Sequence, residues 1–181
     1  QGKTVILLTD DQSVHGLFAV ADTVKDSSRQ AIGELHALGI KTVMLTGDNA
    51  HTARAIASQV GIDEALGDLL PEDKLKAIEA KIGKGGRNSE NQKVGMVGDG
   101  INDAPALARS DIGFAMGAAG TGTAIETADV ALMDDDLRKL PRFVRLSRKT
   151  HALLVQNIVL ALGIKAVFLI LTLTGTGTMW M

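Results

Sequence analysis

One uninterrupted apolar run, ALLVQNIVLALGIKAVFLILTL at residues 152–173, constrains this chain more than any other feature. Its 22 residues hold one charge, Lys165, and two amides, Gln156 and Asn157. A helix needs about 20 apolar residues to cross the hydrocarbon core of a bilayer. The run is too long and too apolar for an amphipathic surface helix, so it predicts a membrane span. The stretch before it, RFVRLSRKTH at 142–151, carries four positive side chains. Such flanks stay on the cytoplasmic side, which puts residues 1–150 in the cytoplasm. The run closes the sequence rather than opening it, so it is not a signal peptide.

A charge within the span is expensive, about 2.5–3.5 kcal/mol for a central Lys. Lys165 lies near mid-span, too deep to reach the interface easily. It calls for a carboxylate on a neighbouring helix or a watery cavity, and so reads as an intramembrane site residue on a transport path.

The rest of the chain must fold outside the membrane, and the charges divide accordingly. Residues 1–136 carry all 21 acids and 12 of the bases, a net of −9, whereas residues 137–181 carry seven bases and no acid. Such a split predicts two environments. The whole-chain net charge of −2 excludes a globally basic nucleic-acid binder. With aromatic residues at 3%, base-stacking platforms are missing too. The absence of cysteine excludes a disulfide scaffold, a thiolate nucleophile and a Cys-ligated metal within these residues.

The soluble part reads as alternating strands and helices. Strands are predicted at 3–9, 16–21, 41–46, 93–99, 111–116 and 129–133. Helices are predicted at 26–39, with Asp26 or Ser27 as cap, at 49–61, closed by Gly61, at 71–83, with Pro71 in its first turn, and at 101–109. Residues 120–128 read as a turn followed by a helix, and 83–91 as a polar, glycine-rich loop. Short apolar strands alternating with helices predict an α/β fold, a parallel sheet with helices on both faces.

In such folds the chemistry sits at the carboxyl ends of the strands. Two strand ends carry polar groups: Thr46-Gly47-Asp48, and Gly98-Asp99-Gly100-Ile101-Asn102-Asp103. A Thr hydroxyl and free N–H groups at a helix start can hold a phosphoryl group. Asp99 and Asp103, four residues apart, suit Mg²⁺. Lys74, near the start of the intervening helix, adds a positive charge that can balance a phosphoryl oxygen. A lone TGD is weak, since Asp often caps helices, and a lone Lys on an acidic helix is usually solvated. Two glycines and two acids at a strand end serve no packing purpose, and order and spacing together make the pattern specific.

The segments MLTGDN (44–49), LLPEDKLKAI (69–78) and MVGDGINDAPALARSDIGFAMG (96–117) resemble the second half of the phosphorylation domain of P-type ATPases. VADTVKDSSRQAI (20–32) and GTAIETADVALMDDDL (122–137) resemble the same family, so the match covers nearly the whole chain. Asn157 followed eight residues later by Lys165 resembles the zinc-, cadmium- and lead-exporting subgroup; copper pumps carry a different polar pair there.

The resemblance implies a haloacid-dehalogenase-like (Rossmannoid) fold followed by a transmembrane helix. It divides the chain into the end of a nucleotide-binding domain (1–18), the second half of a phosphorylation domain (19–140), and a basic linker with the membrane helix (141–181). It also implies an ATP-driven cation pump that works through an aspartyl phosphate. Thr46 would hold the phosphoryl group with Gly47, Lys74 would neutralise it, and Asp48 would lie beside it. Asp99 would ligate Mg²⁺ with support from Asp103, and Asn102 would hydrogen-bond near the phosphoryl group. Lys165 would face a carboxylate from the next membrane helix and help to eject the metal. The phosphorylated Asp of the family's DKTGT is absent, as are the actuator domain and the metal-binding CPC helix. The chain is therefore expected to be a piece of a pump in a cell membrane, inactive without the remainder of that pump.

Three other readings compete. A soluble haloacid-dehalogenase-type phosphatase would need a nucleophile on an early strand, for which Asp10-Asp11 is the one candidate. A copper- or potassium-moving pump would share the soluble part. A non-catalytic, membrane-tethered binding module would make no use of Asp99 and Asp103. His15, His36, His51 and His151 show no metal-ligand spacing and read as surface or satisfied histidines. Asp134-Asp135-Asp136 reads as a solvated capping turn, and Met44, Met96, Met116 and Met133 read as core.

Overall fold

The computed structural model describes residues 4–10, 13–20, 23–83, 93–98, 101–117 and 126–175. The chain divides into two compact units, Gln1–Lys139 and Leu140–Met181.

The first unit opens with an antiparallel hairpin, β1 (Thr4–Thr9) and β2 (Val14–Val20), in which Ile6 lies opposite Phe18. The second strand runs through residue 18, where the sequence suggested a domain boundary. Val5, Ile6, Leu7 and Leu8 alternate between the two faces of the hairpin, and all four are more than half exposed. Two strands alone are marginally stable in water.

The remaining strands are parallel. β3 (Val43–Leu45) pairs with β4 (Glu64–Leu66), and β5 (Gly95–Gly98), β6 (Ile112–Met116) and β7 (Val130–Leu132) pair in that order. Helices α1 (Asp26–Ala37), α2 (Ala50–Val60), α3 (Pro71–Gly83) and α4 (Ala104–Arg109) connect them. The expected single sheet is thus two parallel sheets, not hydrogen-bonded to one another among the described residues. They nevertheless share a core. Leu45 of β3 packs against a cluster of Ile78, Met96, Ala106, Leu107 and Ala115, drawn from α3, β5, α4 and β6. Ile82, one turn beyond Ile78 on α3, and Val94, two residues before Met96, pack against the same cluster, the spacings a buried helix face and strand face require.

A repeated device closes the amino ends of the parallel strands. Asp63, just before β4, accepts a hydrogen bond from the backbone N–H of Thr42, at 2.7 Å. Asp111, just before β6, does the same for Val94, at 2.9 Å. Asp129, just before β7, does it for Gly113, at 2.8 Å. Each carboxylate satisfies a main-chain donor at the start of the neighbouring strand. Asp63 also binds the Thr42 hydroxyl and the His36 ring. The backbone N–H bonds from Thr42 and Val94 are the leading reason that Asp63 and Asp111 titrate below the ordinary carboxylate range.

Several expectations need correction. α1 starts at Asp26, but Lys25 occupies its cap position and makes no side-chain cap hydrogen bond. β4 was not predicted; three residues, one of them Glu64, leave almost no apolar signal. The helix expected at 101–109 begins as a 3₁₀ turn, Ile101–Asp103, because Pro105 fits only the first turn of the α-helix that follows. Met133 is 72% exposed rather than core, one residue beyond the end of β7. The loop 84–91 and the turn at 120–125 lie outside the described residues.

Helix α5 spans Lys139–Leu173, and all of it beyond Lys139 belongs to the second unit. It is long and apolar enough to cross a membrane. Its 35 residues extend about 52 Å at 1.5 Å each. Leu153, Ile158, Leu162 and Leu169 all stand more than half exposed, as lipid-facing side chains would. At the start of α5, Arg138 grips Asp136, and Lys139, the first residue of the helix, pairs with Asp134 at 2.8 Å, so the acidic run holds bases rather than merely facing solvent.

Candidate functional site

The carboxyl end of β5 carries the strongest polar feature. Asp103 closes the 3₁₀ turn after that strand and is 91% shielded from solvent. Its Oδ1 accepts a hydrogen bond from Lys74 Nζ at 2.8 Å. Lys74 stands in the first turn of α3, where its N–H bonds the carbonyl of Leu70 at 3.1 Å. Pro71 starts that helix, where its fixed φ suits the first turn. Among the described residues this is the most buried ion pair, with side-chain exposures of 17% and 12%. Ion pairs removed from water interact more strongly than exposed ones.

Gly98 makes that position possible. A Cβ built there would lie 2.7 Å from the Cβ of Asp103 and 3.0 Å from its Oδ2. No side chain fits, so the aspartate lies directly against the strand backbone.

The carboxyl end of β3 carries the second feature. Thr46 Oγ1 donates to Asp48 Oδ2 at 3.2 Å and accepts from Asp48 N at 3.1 Å. Asn49 caps α2 by accepting from Thr52 N at 2.8 Å, so Thr46-Gly47-Asp48 leads straight into a helix N-terminus. The loop between β4 and α3 is stitched to this turn. Thr46 N donates to Leu66 O at 3.0 Å, and Leu69 N donates to Thr46 O at 3.1 Å. The same loop then becomes the first turn of α3. Thr46 and Lys74 are thereby held by one short segment, although no side-chain hydrogen bond joins the two polar pairs among the described residues.

Of the residues singled out by sequence, Lys74 and Asp103 meet directly, and Thr46, Gly47 and Asp48 form one turn. Asn102 is exposed beside Asp103. Asp99, with Gly100, lies outside the described residues. Asn157 and Lys165 are both exposed on α5, about 12 Å apart along the helix axis. Sequence reasoning overlooked Asp68, whose only signal is a polar residue just before the LLPEDK stretch.

The donor chemistry fits a hard divalent cation such as Mg²⁺. Asp103 presents carboxylate oxygens at a strand end, over a glycine that lets them come close. Among the described residues no three His, Asp or Glu side chains form a metal cluster, so part of any such shell comes from elsewhere. Asp10 is poorly placed as a nucleophile. Its Oδ1 accepts from Ser13 N at 2.6 Å and its Oδ2 pairs with His15, which ties it into the β1–β2 turn. Asp11 lies outside the described residues. His15 and His36 are satisfied by aspartates, as expected.

A family model described as haloacid dehalogenase-like hydrolase matches residues 1–111. The chain is 55% identical to the probable cadmium-transporting ATPase of Listeria monocytogenes, over 99% of this chain and 25% of the relative. It is 47% identical to the zinc-transporting ATPase of Synechocystis, over 98% of this chain and 24% of the relative. The crystal structure of a zinc-transporting PIB-type ATPase in an E2·Pi state superposes with a TM-score of 0.85 at 46% identity, covering 99% of this chain and 28% of that one. The chain thus spans about a quarter of the length of the curated relatives it matches.

Proposed function

The chain belongs to the haloacid dehalogenase-like hydrolase family and is homologous to cadmium- and zinc-transporting P-type ATPases, and from that premise we propose that it is a segment of a heavy-metal export pump. The cargo is a divalent cation, Zn²⁺, Cd²⁺ or Pb²⁺, and the fuel is ATP. The observation that carries this reading is the shielded Lys74–Asp103 pair over Gly98, tied through one loop to the Thr46 turn. A soluble phosphatase would need Asp10 or Asp11 as its nucleophile, and Asp10 is held in the β1–β2 turn by Ser13 and His15. The names of the close relatives favour cadmium and zinc over copper.

In the proposed reaction an aspartate outside this chain attacks the γ-phosphorus of ATP. A carboxylate–phosphorus bond forms, the bond to the ADP oxygen breaks, and water later cleaves the acyl phosphate. Thr46 and the Gly47 N–H hold phosphoryl oxygens, and Asp48 flanks them. Lys74 balances the charge carried by those oxygens, and Asn102 donates a hydrogen bond nearby. Such chemistry depends on positioning and charge compensation rather than on covalent work by the protein. Asp99 and Asp103 would hold Mg²⁺, which supplies further positive charge against the phosphoryl group. In the bilayer, Lys165 competes with the cargo for a carboxylate on a neighbouring helix and so assists release. Residues 1–150 lie on the cytoplasmic side, beside the basic start of the span.

The test is metal-stimulated ATP hydrolysis by the complete pump polypeptide. Stimulation by Zn²⁺, Cd²⁺ or Pb²⁺, lost on Lys74→Ala, supports the reading; stimulation by monovalent copper alone overturns the choice of cargo. The 181-residue chain by itself should not hydrolyse ATP.

A further inference from the structure

Resting on the function proposed above, we infer that Asp68 is a positioning residue, a brace that locks the Thr46-Gly47-Asp48 turn to the loop leading into α3 and so fixes Thr46 relative to Lys74.

Three independent observations meet at this residue. First, Asp68 has φ +57°, the only non-glycine with positive φ among the described residues. Left-handed backbone is disfavoured for residues with a side chain, though least so for Asp and Asn. Second, both ends of Asp68 are used. Its N–H donates to Asp48 O at 2.6 Å, and its Oδ2 accepts from Ala50 N at 3.0 Å. Ala50 is the first residue of α2, whose opening N–H groups have no partner within the helix. The carboxylate answers one of them and carries a charge suited to the positive end of the helix dipole. Third, the preceding residue admits no side chain. A Cβ on Gly67 would lie 2.6 Å from Ala50 Cα and 2.8 Å from Asp48 O. The two backbones are in direct contact, and Asp68 is the residue that holds them there.

With the Thr46–Leu66 and Thr46–Leu69 bonds, this makes four hydrogen bonds between residues 46–50 and 66–69. Six residues beyond Asp68 the same strand of chain presents Lys74. The brace therefore holds the phosphoryl-holding turn against the segment that leads to Lys74. Asp68 itself points to Ala50 and touches no reacting atom. A shift of about 1 Å in such a frame is enough to slow a reaction a hundredfold.

The variants separate the acceptor from the backbone strain. Asp68→Asn keeps an acceptor oxygen and tolerates φ > 0. Asp68→Gly tolerates φ > 0 but has no acceptor. Asp68→Ala has neither. In the 181-residue chain, amide hydrogen exchange at Ala50 should speed up at least tenfold in Asp68→Gly and Asp68→Ala and stay near the original rate in Asp68→Asn. In the complete pump, Asp68→Gly and Asp68→Ala should lower kcat and weaken inhibition by orthovanadate, a phosphate mimic, by about tenfold. The KM for ATP should move less than twofold, and Asp68→Asn should restore both quantities. Unchanged exchange at Ala50 overturns the brace. Altered exchange with unchanged kcat and vanadate inhibition overturns its role in the site. If the unsubstituted pump forms no aspartyl phosphate, the functional reading falls and takes the positioning role with it, while the exchange rates still report whether the brace exists.

Discussion

The two ends of the parallel strands use the same residue for opposite purposes. At the amino ends, Asp63, Asp111 and Asp129 each take a backbone N–H from the neighbouring strand. Their partners are main-chain groups that would otherwise be left unsatisfied, and the result is registry. At the carboxyl ends, Asp103 faces Lys74 and Asp48 faces Thr46, side chains with charge or a hydroxyl to offer a ligand. The aspartates that precede parallel strands staple the sheet; of those that follow them, Asp48 and Asp103 face side chains suited to chemistry, while Asp68 after β4 braces the turn beside them. The difference comes from the strand polarity of the fold, since ligands approach parallel sheets at the carboxyl ends.

The sharpest way to break this contrast is to remove one charge at each end. Lys74→Ala in the complete pump should lower ATP turnover by roughly 10²–10³-fold, the scale of losing one preorganised electrostatic partner. Steady-state hydrolysis measures it; a loss under threefold would remove Lys74 from the site. Gly98→Ala should come next. The added methyl must displace Asp103, and overpacking of this kind costs about 1–3 kcal/mol. A fall in the thermal midpoint together with a fall in activity is expected.

Asp63→Asn should act on stability and leave the chemistry intact. Folding holds the Asp63 carboxyl below its ordinary range, so its contribution is fully present above the unfolded value near pH 4. That contribution is lost as pH falls through the lower, folded value. The thermal midpoints of the original chain and of Asp63→Asn should therefore differ at pH 7 and draw together towards pH 3. A gap that widens on acidification would contradict the stapling role. The smallest effect belongs to Arg109→Ala, whose pair with Glu79 is half-exposed on both sides. Urea titration should show a change within about 0.5 kcal/mol.

Much of this was legible in the residues. α2 and α3 sit where Asn49, Gly61 and Pro71 place them, because caps and breakers are local signals. The strand-end motifs announced themselves by combining glycines and acids at the ends of apolar strands, although the close packing of Asp103 on Gly98 shows only in the structure. The staples were harder to read. Asp63 and Thr42 are 21 residues apart, and nothing in either neighbourhood marks the pair. β4 is held by its partner strand rather than by its own apolar content. Asp68 escaped notice for the same reason: its left-handed backbone is imposed by contact with residues 48–50, a tertiary effect that single-sequence reading does not see. Met133 reads as core because it ends the strand predicted at 129–133, yet it falls one residue past the point where β7 stops.

The division between stapling and reacting aspartates is tested most directly by covalent labelling of the complete pump. Incubation with γ-labelled ATP, followed by acid quenching, reads the hydroxylamine-sensitive phosphoenzyme at the level of single variants. Asp63→Asn should label like the original protein at 25 °C, and Asp103→Asn should leave no label above background. Full labelling of Asp103→Asn would contradict the account at its centre.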